Sequence, residues 1–239
     1  MEKRDLPYFQ ERGVPIDMLV IHASAYDPET MIYHMHEYKV SAHYILDEKG
    51  ALWQLVAPEL AAQHAGPGFW RGEERSVNQR SVGIELCSPS LGQKAYPAVQ
   101  IAALIRLMRQ LVQQYQIPAV NLVGHSDVAP LRKPDPGRAF PWKALAEAGL
   151  GYWYDWQDAD KMKTEDPAEL LALIGYDTRD VERVKASAYA FCRRFLPRYV
   201  KTDEDVLHLV DHVGPENYDF MARKDFLQTL KAVAYRYQK

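Results

Sequence analysis

Asp17-Met18-Leu19-Val20-Ile21-His22 is a short apolar run that ends in a polar residue. It reads as a buried strand with His22 at its C-terminal end. Val120-Asn121-Leu122-Val123-Gly124-His125 repeats that pattern, again closing on a histidine. Ser81-Val82-Gly83-Ile84-Glu85-Leu86-Cys87 is a third strand candidate. Strand alternation places Gly83, Glu85 and Cys87 on one face and Val82, Ile84 and Leu86 on the other. His43–Leu46 and Ala51–Val56 flank Asp47-Glu48-Lys49-Gly50, a hairpin signal with a turn ending in glycine. Between these strands lies the clearest amphipathic helix of the chain. From Val99 to Tyr115, Ile101, Leu104, Ile105, Met108, Leu111, Val112 and Tyr115 recur at helical spacing, and Pro118 closes the exit. A short helix is expected over 142–148. Strands interleaved with helices predict an α/β domain with a mixed central β-sheet flanked by helices.

The composition changes after Gly151-Tyr152-Trp153-Tyr154. Asp155 to Asp166 reads as a polar linker, and Asp166-Pro167 as an N-cap followed by proline at the first helical position. Helical patterns follow over 167–174, 179–195, 203–213 and 223–237, with no strand pattern among them. The expected organisation is an α/β domain over residues 1–155 and a small all-α three-helix domain over 156–239.

Composition excludes several classes. The 239 residues carry 29 Lys and Arg against 32 Asp and Glu, a net charge of −3, which lacks the basic footprint of a nucleic-acid binder. At 47% hydrophobic and 26% charged the chain is no disordered polymer. No apolar run is long enough to span a membrane. Cys87 and Cys192 do not form a disulfide framework. The polar start, MEKRDLPYFQERG, lacks the apolar core of a secretion signal. The expectation is a cytoplasmic protein. A periplasmic or outer-membrane-associated one is the alternative if a leader has been trimmed.

His22 and His125, at strand ends, sit where ligands collect in open α/β sheets. With a carboxylate from the next loop they would supply three protein ligands to a catalytic metal, leaving a fourth position open. The loop offers Asp127 and Asp135. Two polar residues that merely terminate strands are the simpler alternative. His125-Ser126-Asp127 is also the local half of a two-histidine, one-carboxylate iron site. Its distal histidine would have to be His208 or His212, in the helical region. Lys133 and Asp135 both precede prolines, so the stretch is held extended and both side chains point one way. Glu85, set among apolar neighbours, needs a partner or a raised pKa unless it faces water on an edge strand.

These segments together carry a resemblance. Val20-Ile21-His22, Val40-Ser41-Ala42-His43-Tyr44, His64-Ala65-Gly66 and Ser81–Leu86 occur in order, followed by Gly124-His125-Ser126-Asp127-Val128-Ala129-Pro130. Arg132-Lys133-Pro134-Asp135-Pro136-Gly137 and Phe140-Pro141-Trp142 complete the set. The chain resembles the zinc-dependent N-acetylmuramoyl-L-alanine amidases of the AmpD and AmiD type, which are related to peptidoglycan-recognition proteins. The resemblance spans about residues 15–155. The helical tail is similar, more loosely, to the peptidoglycan-binding-like domain of the AmiD type. The resemblance implies a Zn2+ ion on His22, His125 and Asp135, leaving Asp127 a structural acid of the loop. It implies hydrolysis of the amide between the lactyl group of N-acetylmuramic acid and L-alanine in muropeptides. A zinc-activated water would attack, with Glu85 as acid/base and Lys133 stabilising the oxyanion. His64 falls on the substrate side of the cleft, and Arg71 and Asn78 in the segment that holds the stem peptide. The implied partners are peptidoglycan fragments, anhydro forms among them. Some relatives of this fold only recognise peptidoglycan, having lost metal ligands, and that is the alternative function.

The chain departs from the pattern in two places: His22-Ala23-Ser24-Ala25 around the first ligand, and Gln63 where a tryptophan commonly precedes His-Ala-Gly. His43 is expected to be packed and hydrogen-bonded. His34 and His36, two apart on a helix, do not share a face and are expected on the solvated surface. Metal analysis of two variants tests the ligand set: Asp135→Ala is expected to lose the metal and Asp127→Ala to keep it. The reverse would make His-Ser-Asp the ligand motif.

Overall fold

The computed structural model describes residues 2–72, 76–201, 215 and 217–238. In chain order these form β1 (Glu2–Lys3), β2 (Phe9–Glu11), β3 (Met18–Ser24), α1 (Pro28–Tyr38), β4 (Tyr44–Leu46), β5 (Leu52–Gln54) and β6 (Leu60–Ala62). There follow α2 (Val77–Arg80), β7 (Ser81–Cys87), α3 (Ala98–Tyr115), β8 (Leu122–Gly124), α4 (His125–Val128) and α5 (Trp142–Glu147). The tail contributes α6 (Pro167–Ile174), α7 (Val181–Phe195) and α8 (Lys224–Tyr237). The helix expected over 203–213 lies outside the described residues. No described helix is long and apolar enough to cross a membrane.

Six strands make one mixed sheet in the order β1-β5-β4-β7-β3-β8. β4, β7, β3 and β8 run parallel, and β5 is antiparallel to β4, which is the expected hairpin. A separate two-stranded ribbon pairs β2 with β6. The strand expected to end at His125 stops one residue earlier. Ala119–Asn121 is a 3-10 turn, and His125 is the first residue of the single turn α4. His22 is followed by two further strand residues.

The central strands are buried on both faces, so they read as continuous apolar runs. Leu19, Ile21, Val82, Ile84 and Leu122 face α3, sharing a cluster with Ile101, Leu104, Met108 and Leu111. Met18, Val20 and Val123 point the other way. They belong to one apolar cluster with Leu170, Leu171, Tyr189, Phe191, Phe226 and Leu230 of the tail helices. The tail is therefore the second layer over the sheet. Its first two helices start on side-chain caps. Asp166 accepts the Ala168 N–H ahead of Pro167, and Asp180 accepts the Arg183 N–H. α1, expected from the sequence only as a helix carrying His34 and His36, has the same device: Asp27 accepts the Glu29 and Thr30 N–H groups, with Pro28 in the first turn. β1, β2, β6 and α2 were unforeseen. Each is four residues or fewer and too short to show a period.

Phe191 is fully buried in the cluster that joins sheet and tail. Phe191→Ala is expected to cost about 3–5 kcal/mol in equilibrium denaturant unfolding. Far- and near-UV signals should be lost together, and two separated transitions would show a tail that folds on its own.

Candidate metal centre

β3 and β7 run in parallel register with His22 directly beside Glu85. Both side chains emerge on the tail-side face, near the carboxyl ends of the strands. β8, on the other side of β3, delivers His125 at the start of α4. The loop that follows returns so that Ser126 N–H donates to the Asp135 carbonyl at 2.9 Å. This brings the Asp135 carboxylate back beneath His125. His22, His125 and Asp135 are all buried, at 1%, 4% and 8% exposure.

Three atoms converge there. His22 Nδ1 and His125 Nδ1 are 2.9 Å apart, and Asp135 Oδ2 lies 3.3 Å from the first and 3.1 Å from the second. A tetrahedral ion with ligand bonds of about 2.0–2.1 Å separates its ligands by about 3.3 Å. The observed triangle is close to that size.

The hydrogen bonds around the rings fix what those atoms present. His125 Nε2 lies 3.0 Å from the Ala65 carbonyl, which can only accept, so Nε2 carries the proton and Nδ1 a lone pair. For His22 the assignment passes through three groups. Ser81 donates its hydroxyl to the Val77 carbonyl at 2.6 Å. Ser81 Oγ then accepts from His64 Nε2 at 3.1 Å. His64 Nδ1 is left to accept from His22 Nε2 at 2.9 Å. His22 Nδ1 is bare as well. Burial, together with the adjacent His125, pushes His22 down to about 4, so the ring is neutral near pH 7. In those neutral tautomers two lone pairs and a carboxylate oxygen face one another. Burial works against the charged form of Asp135, yet the charge of His125 and the hydrogen bonds of the His125 and His22 rings, which act when a proton sits in the triangle, hold its carboxyl well below the usual range. A proton or a metal cation satisfies this arrangement, and the nitrogen–nitrogen–oxygen donor set suits a first-row divalent metal.

A cavity of about 420 Å³ opens over these donors, with Glu85, Lys133, Asn78 and Arg132 on its walls. Glu85 Oε2 is buried without a hydrogen-bond partner among the described residues. Burial and then the charge of Asp135 raise the Glu85 carboxyl from 4.5 to about 8, and the Lys133 ammonium pulls the other way. The sequence expectation that Lys133 and Asp135 project to one site agrees with this lining. Asp127 does not reach the cavity. It faces the tail, taking hydrogen bonds from Gly124 N–H, Tyr176 and Arg194.

The remaining candidates are distributed differently. His64 touches the cavity but commits both ring nitrogens to His22 and Ser81, so its visible role is to orient a ligand. Asn78 lines the cavity while its Oδ1 accepts the His64 and Ala65 N–H groups. Arg71 lies away from the cavity, donating to the Ile174 carbonyl at the end of α6. His43 is buried, accepts Gly83 N–H at Nδ1 and faces the Leu60 carbonyl through Nε2. His34 pairs with Glu37, and His36 is exposed. Burial pushes the Cys87 thiol up to about 12, which removes it as a nucleophile. Gly83 was read only as a strand residue. A side chain there would sit 2.4 Å from His64 Cγ, so the absent Cβ is what lets the His64 ring lie over β7. Arg132 and Ser81 were also missed. An arginine inside the Arg-Lys-Pro-Asp-Pro-Gly block and a serine opening a buried strand were their signals.

The metal-free protein gives a pH test. Folded, Glu85 keeps its proton up to about pH 8, whereas the unfolded chain loses it near 4.5. Between those values unfolding releases a proton, so stability falls as pH rises. Glu85→Gln lacks this loss. In denaturant titrations without metal it should match the parent at pH 4 and exceed it increasingly up to pH 8. A constant difference across that range would mean that Glu85 is solvated and ionises normally.

Residues 12–138 match the Amidase_2 family model, described as N-acetylmuramoyl-L-alanine amidase. The N-acetylmuramoyl-L-alanine amidase AmiD of Escherichia coli K12 is 37% identical over 188 residues, 69% of this chain and 68% of that protein. The structure of E. coli AmiD in complex with the substrate anhydro-N-acetylmuramic acid-L-Ala-D-gamma-Glu-L-Lys superposes with a TM-score of 0.73. It is 30% identical and covers 96% of this chain and 93% of that one. AmpDH3 of Pseudomonas aeruginosa gives a TM-score of 0.76 at 28% identity, covering 98% and 95% of the two chains. Both likenesses run through the C-terminal helices as well as the sheet. The chain belongs to the Amidase_2 family of N-acetylmuramoyl-L-alanine amidases.

Proposed function

We propose that the protein hydrolyses the amide between the lactyl group of N-acetylmuramic acid and L-alanine in muropeptides, anhydro forms included, with zinc as the metal. One observation carries the reading beyond family membership. A buried carboxylate with a free oxygen, Glu85, stands beside His22 in the cavity of the three-donor set. A carboxyl poised near neutrality is what proton transfer in both directions requires.

His22 Nδ1, His125 Nδ1 and Asp135 Oδ2 would hold the zinc, which supplies Lewis-acid polarisation and an acidified water. The chain's own groups then divide the work. Glu85 takes the proton of the attacking water through its unpaired Oε2. The Lys133 ammonium balances the negative charge that grows on the carbonyl oxygen. Glu85 returns its proton to the departing L-alanine nitrogen, which leaves as a neutral amine. Asp135 and Glu85 keep separate roles because their surroundings push them apart. Positive charge within the triangle holds Asp135 ionised, while burial keeps Glu85 protonatable.

Mass spectrometry of digests of purified muropeptides, anhydro and reducing-end, tests the proposal together with metal analysis. About one zinc per chain and release of stem peptides beginning at L-alanine are expected. Glu85→Gln should keep the zinc and lose turnover, and Lys133→Met should lower kcat by of order 10²–10³. Intact muropeptides that nevertheless bind would leave a recognition module in place of an enzyme.

A further inference from the structure

We infer that the C-terminal helices set the metal affinity of the site, through a clamp that Arg194 and Tyr176 place on Asp127. The inference rests on the metal-site reading above. Asp127 shares the single turn of α4 with His125, two residues away. Its carboxylate is 1% exposed and accepts three hydrogen bonds. Gly124 N–H, at the start of the turn, reaches Oδ2 at 2.8 Å. The other two donors come from the tail. Tyr176 Oη, in the connection after α6, donates to Oδ1 at 2.7 Å. Arg194 Nη1, near the end of α7, donates to Oδ2 at 2.9 Å.

Arg194 is itself 4% exposed. Its Nη2 donates to the Leu122 carbonyl at 3.1 Å, at the opening of β8. Its guanidinium lies 4.0 Å from the centre of the Trp142 ring, which also packs against Gly124. One tail arginine thus grips the strand before His125, the turn that begins at His125 and the aromatic floor under both.

The opposite wall is tied to the same part of the tail. Arg71 N–H donates to the Gly175 carbonyl at 2.8 Å, and the Trp70 ring stands edge-on to Tyr176 at 5.2 Å. Trp70 and Arg71 follow the segment whose Ala65 carbonyl orients the His125 ring. Asp127 and Arg194 are a buried pair in which either partner alone is an uncompensated charge. Removing the arginine therefore disturbs the turn that aims His125 Nδ1, although no metal ligand is changed. Groups that orient ligands in this indirect way typically alter metal affinity 10–100-fold. Arg194 and Tyr176 are positioning residues, and the expectation that Asp127 matters only structurally is sharpened: its loss should leave the three ligands but weaken them.

The test uses the full chain. The Zn2+ dissociation constant is read by competition with a chromophoric chelator, and the visible absorption of the Co2+-loaded protein reports ligand geometry. Arg194→Met is expected to raise the dissociation constant about 10–100-fold and to shift the Co2+ bands. Arg194→Lys should recover part of the loss. Tyr176→Phe removes one oxygen with little change of volume, so it reports even if Arg194→Met does not fold. It should raise the constant several-fold. Arg194→Met combined with Asp127→Asn should be no weaker than Asp127→Asn alone, because the two act as one unit. Arg236→Met, which breaks the Asp158 pair inside the tail, should lower thermal stability without moving the dissociation constant. A folded Tyr176→Phe or Arg194→Met with parental affinity and parental Co2+ bands overturns the clamp. A parental protein that binds no Zn2+ overturns the metal reading, and the clamp with it.

Discussion

Two imidazole lone pairs and a carboxylate oxygen, pressed to within 3.3 Å of one another out of water, repel unless a cation lies among them. Most of the architecture around the site is what holds that unfavourable triangle together. Parallel pairing sets His22 beside Glu85, and β8 brings His125 up on the other side of β3. The loop from 125 to 135 is stapled at its base by the Ser126–Asp135 backbone bond. Each imidazole is then locked into one tautomer by an acceptor that cannot change role: the Ala65 carbonyl for His125, and the Val77 carbonyl, through Ser81 and His64, for His22. A site of this kind is paid for in the metal-free fold and recovers the cost when a cation binds, which couples metal affinity to the surrounding packing.

Much of the site could be read from the chain because its geometry follows local rules. Buried strands are visible as apolar runs, Met18–Ile21 ahead of His22 and Leu122–Val123 ahead of His125. Lys133 and Asp135 share a direction because prolines extend the backbone on either side of them. Glu85 stood out because a carboxylate among Val, Ile and Leu needs an explanation. Other features depend on partners far away in sequence. The orientation of His64 is settled by Ser81 and Gly83, and no periodicity links those positions. Arg71, expected toward the stem peptide, turns to the tail because the Gly175 and Ile174 carbonyls lie within its reach.

The tail shows the same division. The start of α6 is legible in Asp166-Pro167, since capping is local, whereas α7, expected from residue 179, begins at Val181 behind its cap Asp180. What the helices do is less legible. Tyr189 through Phe195 is buried without a break, Arg193 and Arg194 included. Two arginines within an all-apolar stretch signal that a buried anion must meet them. The sequence cannot say that the anion meeting Arg194 is the loop acid beside His125, 67 residues earlier.

The two faces of the sheet explain why that acid matters. α3 covers one face with Ile101, Leu104, Met108 and Leu111, and its buried Gln100 donates to the Leu46 and Cys87 carbonyls. On the other face, Val20 lies in the cluster shared with the tail, while His22, two residues and about 7 Å further along the same strand, opens on the cavity. The boundary between core and cleft thus falls within one step of a single strand. It falls where the tail stops covering the sheet and where Tyr176 and Arg194 reach Asp127. Helices at this position do more than bury the underside of β3 and β8. They fix where the dry interior ends, and therefore how far from water the three metal donors stand.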